Sequence, residues 1–134
     1  LAHIHMIISM LNIFRPRPLT NYARGIWAER IAVAVLWVKG YRIRERRYKT
    51  SVGEIDIIAT RGTTVAFIEV KARATVDAAR GAILRGSYTR LVRAAQIYMV
   101  KNPKFSQYNQ RFDLIAVALP ASIVHLYNID LIGA

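Results

Sequence analysis

Two apolar runs of strand length, separated by a glycine-containing turn signal, constrain the fold of this chain most. Residues 54–60 have the sequence EIDIIAT, and residues 63–71 have the sequence TTVAFIEVK. Their β-branched and aliphatic side chains suit buried strands, and the intervening Arg61-Gly62 dipeptide suits a tight hairpin turn. The sequence therefore predicts a β-hairpin at the centre of the fold.

Charged side chains interrupt this apolar hairpin. If the turn has two residues, Thr60 pairs with Thr63, and Asp56 and Glu69 become diagonal neighbours with Cβ atoms about 7 Å apart. Asp56, Glu69 and Lys71 then project from one face, whereas a slip of one residue would separate them. Buried carboxylates are costly without compensation. The spacing alone leaves two interpretations, a metal site or a half-exposed hairpin with a Glu69–Lys71 ion pair.

A helix is predicted before the hairpin. Thr20 or Asn21 can cap it, apolar residues recur at helical spacing to about Lys39, and Gly40 follows where a left-handed residue often ends a helix. The next residues, 41–49, have a strand-like and very basic pattern. The chain therefore begins its predicted domain with a helix that leads directly into a basic strand.

The second half of the chain predicts one more helix. Residues 72–86 are rich in Ala, Arg and Gly and predict a loop, after which Ser87 can cap a helix that stops at Asn102-Pro103. The apolar stripe of this helix is predicted to face inward. It consists of Tyr88, Leu91, Ala95 and Tyr98.

Two short strands, residues 111–118 and 123–127, complete the predicted elements. The order helix, three strands, helix, two strands predicts an α/β fold with a mixed five-stranded sheet flanked by helices. We expect residues 20–134 to form one domain and residues 1–19 to be an N-terminal extension of unclear structure.

The chain is strongly basic. It has 20 Lys and Arg against 8 Asp and Glu, a formal charge of +12. Such an excess suits nucleic-acid phosphate or an anionic membrane surface, although it is also compatible with a merely basic protein. The candidate phosphate contacts are arginines at alternate positions of the first strand, which would share one face, and arginines of the second helix. In the alternative interpretation these arginines are solvated charges, and those of the first strand protect a sheet edge. The candidate arginines are Arg42, Arg44, Arg46, Arg90 and Arg93.

The scarcity of soft ligands limits the metal chemistry. There is no cysteine, which fits a reducing cytoplasm, and the histidines are His3, His5 and His125. Any metal should therefore be a hard cation held by carboxylates. The apolar residues 1–14 are shorter than the roughly twenty needed to span a bilayer and lack signal-peptide features, so we expect no membrane partner.

Several ordered motifs resemble a known family. Residues 53–58 (GEIDII) followed by residues 67–71 (FIEVK) resemble the PD-(D/E)XK nuclease motif, and in particular the uncharacterised bacterial YraN-like family, whose members are similar to archaeal Holliday-junction resolvases. The resemblance extends over nearly everything from Gly25 onward. It includes Gly25, Glu29, Gly40-Tyr41 and Arg111-Phe112-Asp113.

This resemblance implies a restriction-endonuclease-like three-layer fold and a nuclease site. By the resemblance, Asp56 and Glu69 are ligands of Mg²⁺ or Mn²⁺, with the backbone carbonyl of Val70 as a third ligand. Lys71 would orient or help deprotonate the attacking water and steady the charge on phosphorus. Glu29 would approach the same metal, often through water. The implied activity is metal-dependent hydrolysis of DNA, with branched or damaged DNA as a candidate substrate, and a homodimer is compatible with the sequence.

The sequence also departs from the family pattern and leaves other functions open. A lysine that usually begins the second helix is absent near Ser87, and the C-terminal motif is replaced by residues 128–130. Glu29 has an alternative role as a surface partner of Arg24 or Arg30, and Arg111 with Asp113 is best interpreted as a structural ion pair. The alternative functions are a non-catalytic nucleic-acid-binding module and a basic protein-interaction domain.

Overall fold

The computed structural model describes residues 20–84, 88–118 and 122–129. The predicted N-terminal extension, the Ser87 cap and Asp130 of the altered C-terminal motif lie outside these residues. The helices are α1 (Asn21–Val38), α2 (Val76–Leu84) and α3 (Tyr88–Lys101), followed by a 3₁₀ turn (Pro103–Phe105). The strands are β1 (Arg42–Thr50), β2 (Gly53–Arg61), β3 (Thr64–Arg73), β4 (Asn109–Ala118) and β5 (Ser122–Leu126).

The five strands form one mixed sheet in the order β1-β2-β3-β4-β5. β3 and β4 are parallel, and the other neighbours are antiparallel. The crossover between the two parallel strands carries α2 and α3, which places them against the sheet as such connections require. The predicted α/β class, the five-stranded mixed sheet and the element order are confirmed.

Helix α1 begins and ends as the sequence predicts. The Thr20 hydroxyl accepts a hydrogen bond from the Ala23 N–H at 3.0 Å, which satisfies a donor of the first turn. Gly40 has a φ of +85°, a left-handed conformation that favours glycine after a helix. Between these ends α1 packs one face on the sheet and makes the first core cluster with Ile57, Ala66 and Ile115.

Helix α2 corrects the prediction of a loop over residues 72–86. The Thr75 hydroxyl accepts from the Ala78 N–H at 3.1 Å, and Asp77 lies in the first turn, where a negative charge is favourable. Ala79 is buried in the second core cluster, on the sheet face covered by α2 and α3. The helix is short and contains Gly81, and its apolar positions Val76, Ala79 and Ile83 span only two turns, so the Ala, Arg and Gly composition of the segment masked the helical spacing.

The hairpin turn lies one residue later than predicted, at residues 62–63, so that Thr60 pairs two positions further along β3, with Val65. A shift of two positions preserves which face each side chain occupies, since strand side chains alternate with a period of two. The corrected register sets Asp56 directly opposite Glu69, one step beyond the last ladder pair, instead of diagonally.

The three arginines of β1 do not share one face, contrary to the prediction. A β-bulge at Arg44 interrupts the pairing with β2. Arg44 Nε donates to Thr60 Oγ1 at 3.0 Å on the α3 side, whereas Arg46 reaches Glu29 of α1 on the opposite side. The predicted common face of Arg42, Arg44 and Arg46 is therefore wrong, because one inserted residue reverses the alternation.

Candidate active site

The candidate site lies where β2 separates from β3. The ladder between these strands ends at the pair Ile57–Ile68. Beyond it, Asp56 Oδ2 accepts a hydrogen bond from the Val70 N–H at 2.8 Å, so the carboxylate takes the place of a backbone acceptor. This contact fixes the Asp56 side chain in the gap between the two strands.

Where β2 separates from β3, the side chains of β2 change the face of the sheet on which they lie. Ile57 packs in the first core cluster with α1, but Ile55 packs in the second core cluster with α3. Residues two apart in a regular strand face the same side, so the strand is irregular between them. Asp56 occupies the irregular position and is therefore directed into neither core.

Glu69 and Lys71 form a close ion pair beside Asp56. Lys71 Nζ lies 2.9 Å from Glu69 Oε1, and both side chains are largely shielded from solvent. They alternate with Ile68 and Val70, which pack with the first core cluster, so their side chains leave β3 toward the α3 side. The spacing Glu-x-Lys thus delivers a carboxylate and an ammonium together at the edge of the gap.

The electrostatics of Asp56 show that negative charge at the site is incompletely compensated. Burial, and then the neighbouring carboxylates of Glu69 and Glu29, raise the pKa of Asp56, and the Val70 N–H and the Lys71 ammonium oppose this rise only in part. The resulting pKa is about 7. A raised carboxyl pKa means that the ionised form is disfavoured. A bound cation would stabilise the ionised form of Asp56.

Glu29 is held by arginines that the sequence analysis did not assign to it. Its side chain is only 9% exposed, and its two oxygens contact Arg46 Nη2 at 3.2 Å and Arg47 Nε at 3.0 Å. The expected alternative partners, Arg24 and Arg30, make neither of these contacts. No helical spacing signals this arrangement, because both arginines come from β1.

Glu29 and Asp56 line the same pocket, which has a volume of about 270 Å³. Val70 also lines it, whereas Glu69 and Lys71 lie outside its lining. The structure therefore brings the predicted residues together in two adjoining groups, Glu29 with Asp56 and Glu69 with Lys71. The other lining residues are Asn21, Tyr22, Gly25, Ile26, Arg47 and Glu54.

The oxygen atoms at the candidate site have the chemistry that a hard divalent cation requires, but too few of them lie close together. Asp56, Glu69 and the Val70 backbone supply oxygen donors, which Mg²⁺ and Mn²⁺ prefer. Within residues 20–84, 88–118 and 122–129, no three His, Asp or Glu side chains are grouped closely enough to hold a metal ion. Two of the acids also have cationic partners, since Glu69 pairs with Lys71 and Glu29 with two arginines.

The two predicted arginines of α3 are exposed and lie away from this pocket. Arg90 lies next to the β1–β2 turn, where a Cβ added at Gly53 would come within 3.2 Å of Arg90 Cβ. Arg93 lines a different groove, of about 490 Å³, together with apolar residues of α3. Their contact with nucleic acid stays a prediction.

A second buried polar cluster surrounds Asp113, which is fully buried. The predicted ion pair is present, with Arg111 Nε and Nη2 each 2.9 Å from an Asp113 oxygen. His125 Nε2 lies 2.8 Å from the same carboxylate, and the ring's Nδ1 lies 2.9 Å from Lys39 Nζ. Burial by itself raises the pKa of Asp113, but the hydrogen bonds from His125 and Arg111 hold that pKa below its ordinary value. The sequence analysis missed His125 and Lys39 because they are distant in the chain.

The fold and site define a basic α/β protein with a carboxylate–lysine cluster at the point where two central strands separate. The chain belongs to the family described as Uncharacterised protein family UPF0102, whose profile matches residues 28–117. This confirms the family part of the resemblance. In the described part of the chain, no helix is both long and apolar enough to cross a membrane.

Similar proteins occur in several bacteria. A UPF0102 protein of Rhodopseudomonas palustris (strain BisB5) is 46% identical over 103 residues, which cover 77% of this chain and 79% of the relative. UPF0102 protein bll0669 of Bradyrhizobium diazoefficiens is 42% identical over 116 residues, with 84% and 87% coverage. A UPF0102 protein of Methylorubrum extorquens (strain PA1) is 44% identical over 108 residues, with 81% and 84% coverage.

Proposed function

We propose that this chain is a cytoplasmic PD-(D/E)XK-type endonuclease that hydrolyses DNA phosphodiester bonds with Mg²⁺ or Mn²⁺. The observation that supports the proposal is that Asp56, whose carboxylate bonds the Val70 N–H where β2 and β3 separate, lies beside the Glu69–Lys71 ion pair. The net charge of +12 supports a polyanionic substrate.

In this proposal, Asp56 and Glu69 hold the cation together with the Val70 backbone carbonyl. When bound, the cation would lower the pKa of a coordinated water and neutralise charge on the scissile phosphate. The raised pKa of Asp56 supports this assignment, because burial first, and then the carboxylates of Glu69 and Glu29, disfavour the ionised form that a cation would stabilise.

Lys71 is proposed to act as a hydrogen-bond donor to the attacking water and to the phosphate oxygens. Its ammonium, 2.9 Å from Glu69 Oε1, is held at the edge of the gap and mostly shielded from water. A donor fixed in a shielded site stabilises developing negative charge more strongly than a mobile surface lysine does. Lys71 therefore contributes to rate, whereas Asp56 and Glu69 contribute to cation binding.

DNA binding is proposed to depend on phosphate contacts from arginines on both sides of β1. Arg44 faces α3 and Arg46 faces α1, so a bound duplex would cross the β1 edge and would not lie on one flat face. Arg42 and the α3 residues Arg90 and Arg93 are further candidates. Such contacts position the backbone without reading base sequence.

The test is cleavage of linear, nicked, flapped and four-way DNA, with Mg²⁺ or with chelator. We expect Asp56→Asn and Glu69→Gln to abolish cleavage, and Lys71→Ala to lower the rate by about a hundredfold or more while metal still binds. Asp77→Asn, which changes an exposed carboxylate on α2, is the matched control and should cleave like wild type. Wild-type cleavage no greater than that of Asp56→Asn on every substrate would refute the proposal.

A non-catalytic nucleic-acid-binding module is the second candidate. It is favoured by two observations: ion pairs occupy Glu29 and Glu69, and the described residues contain no close group of three possible ligand side chains. This module would bind DNA with a steep dependence on salt and would cleave none of the substrates. DNA binding without cleavage in the same panel would support it.

A further inference from the structure

Arg47 has an unusual backbone conformation beside the pocket. Its φ is +50°, a left-handed value that residues other than Gly, Asn and Asp rarely adopt. It lies within β1 and not in a turn, between Arg46, which pairs with Ile57, and Tyr48, which pairs with Ile55. Strain of this kind persists when the surrounding structure imposes it, and it is concentrated at functional sites.

The left-handed backbone turns two consecutive arginines toward α1. In a regular strand Arg46 and Arg47 would face opposite sides of the sheet. Here both guanidinium groups contact Glu29, and Tyr48 packs in the second core cluster on the other side. Tyr22, an exposed residue of the first turn of α1, lines the same pocket as Arg47.

Burial at this ion pair is uneven. The Glu29 side chain is 9% exposed, but those of Arg46 and Arg47 are 47% and 44% exposed. A guanidinium group has several donors in one plane and can use its outer donors for a phosphate, which it binds well in a bidentate manner. The arginines are therefore accessible to a polyanion, while Glu29 is accessible to what enters the pocket it shares with Asp56.

We propose that Arg46 and Arg47 exchange Glu29 for a phosphate group of bound nucleic acid and thereby release Glu29 to a divalent cation at Asp56. The inference rests on the proposed function for the cation. Arg47 is a positioning residue in this account, since it acts on the cation through Glu29. Binding of DNA and binding of the cation then favour each other, and the coupling must be reciprocal.

The first measurement is the Mn²⁺ affinity of the whole protein, with and without a duplex whose phosphorothioate linkages resist hydrolysis. Phosphates of the duplex also attract Mn²⁺, so the relevant quantity is the part of the coupling that Glu29 supplies. We expect the duplex to raise Mn²⁺ affinity about fivefold or more beyond the rise seen in Glu29→Gln. An equal rise in both proteins overturns the inference and leaves the proposed cation site intact. Wild type that binds no Mn²⁺ in either condition overturns both.

The second measurement uses Arg47→Asn, because asparagine tolerates the left-handed conformation and removes only the guanidinium. Without DNA, this variant should bind Mn²⁺ several-fold more tightly than wild type, since Glu29 is partly released. Arg42→Asn, the same change elsewhere on β1, controls for loss of one positive charge and should have a smaller effect. In a Glu29→Gln background the gain from Arg47→Asn should disappear. A gain that persists there would show that Arg47 acts by simple repulsion, which overturns the inference.

Discussion

Replacing Asp56 by asparagine should stabilise the metal-free protein in a pH-dependent way. Burial and the nearby carboxylates raise the pKa of Asp56 from 3.8 to about 7, so the folded state holds this proton more tightly than the unfolded state does. The ionised carboxylate is therefore a cost to folding that is absent below about pH 4, grows as pH rises toward 7, and is complete above 7. An asparagine carries no such cost and can still accept from the Val70 N–H.

The magnitude follows from the pKa difference. About three pH units at about 1.4 kcal/mol each give roughly 4 kcal/mol as an upper bound. Because Asp56 retains some access to solvent, we expect Asp56→Asn to gain about 2–3 kcal/mol at pH 8 and to gain progressively less as pH approaches 4. The assay is urea denaturation in the presence of chelator at several pH values.

The control is Asp77→Asn, at an exposed carboxylate in the first turn of α2. It removes a favourable charge at a helix N-terminus and should lower stability slightly, by about 0.5 kcal/mol. If Asp56→Asn is no more stable than wild type at pH 8, or if its gain does not depend on pH, the electrostatic account of the site is refuted. The metal proposal would then lose its electrostatic support and would rest on the placement of Asp56 beside the Glu69–Lys71 pair alone.

The Asp113 cluster supports two further predictions. Burial lowers the pKa of His125, so the folded state binds this proton less tightly, and stability should fall as pH drops below about 6.5. His125→Gln, whose amide can still donate to Asp113, should reduce this loss of stability, as measured by thermal melting at pH 5 and pH 7. If the variant loses as much stability as wild type between these pH values, groups other than His125 cause the loss. Asp113→Ala leaves the partly buried Arg111 without its carboxylate and should cost about 3–5 kcal/mol by denaturant unfolding. A cost below about 1 kcal/mol would show that this ion pair is dispensable.

Local patterns in the sequence predicted most of the sheet and which of its strands carry the central acids. The alternation of residues along the hairpin put Asp56 and Glu69 on matching positions, and these positions stay opposite in the corrected register because the error was an even number of residues. The irregularity of β2 at Asp56 was not predicted, and Asp56 lines the pocket with Glu29 while Glu69 lies outside its lining. The two ends of α1 were also predicted, from the capping hydroxyl of Thr20 and from Gly40, because capping depends only on neighbours within one turn.

Tertiary contacts decided the features that local patterns do not encode. Helix α2 has only nine residues, too few for a stable isolated helix, and Val76 and Ala79 pack in the second core cluster. Arg47 has a left-handed backbone conformation within β1, and its guanidinium and that of Arg46 both contact Glu29 of α1. The sequence thus determined which charged groups the central strands carry, because strand periodicity is local. Only the folded chain decided how those groups are neutralised, because their partners come from other elements.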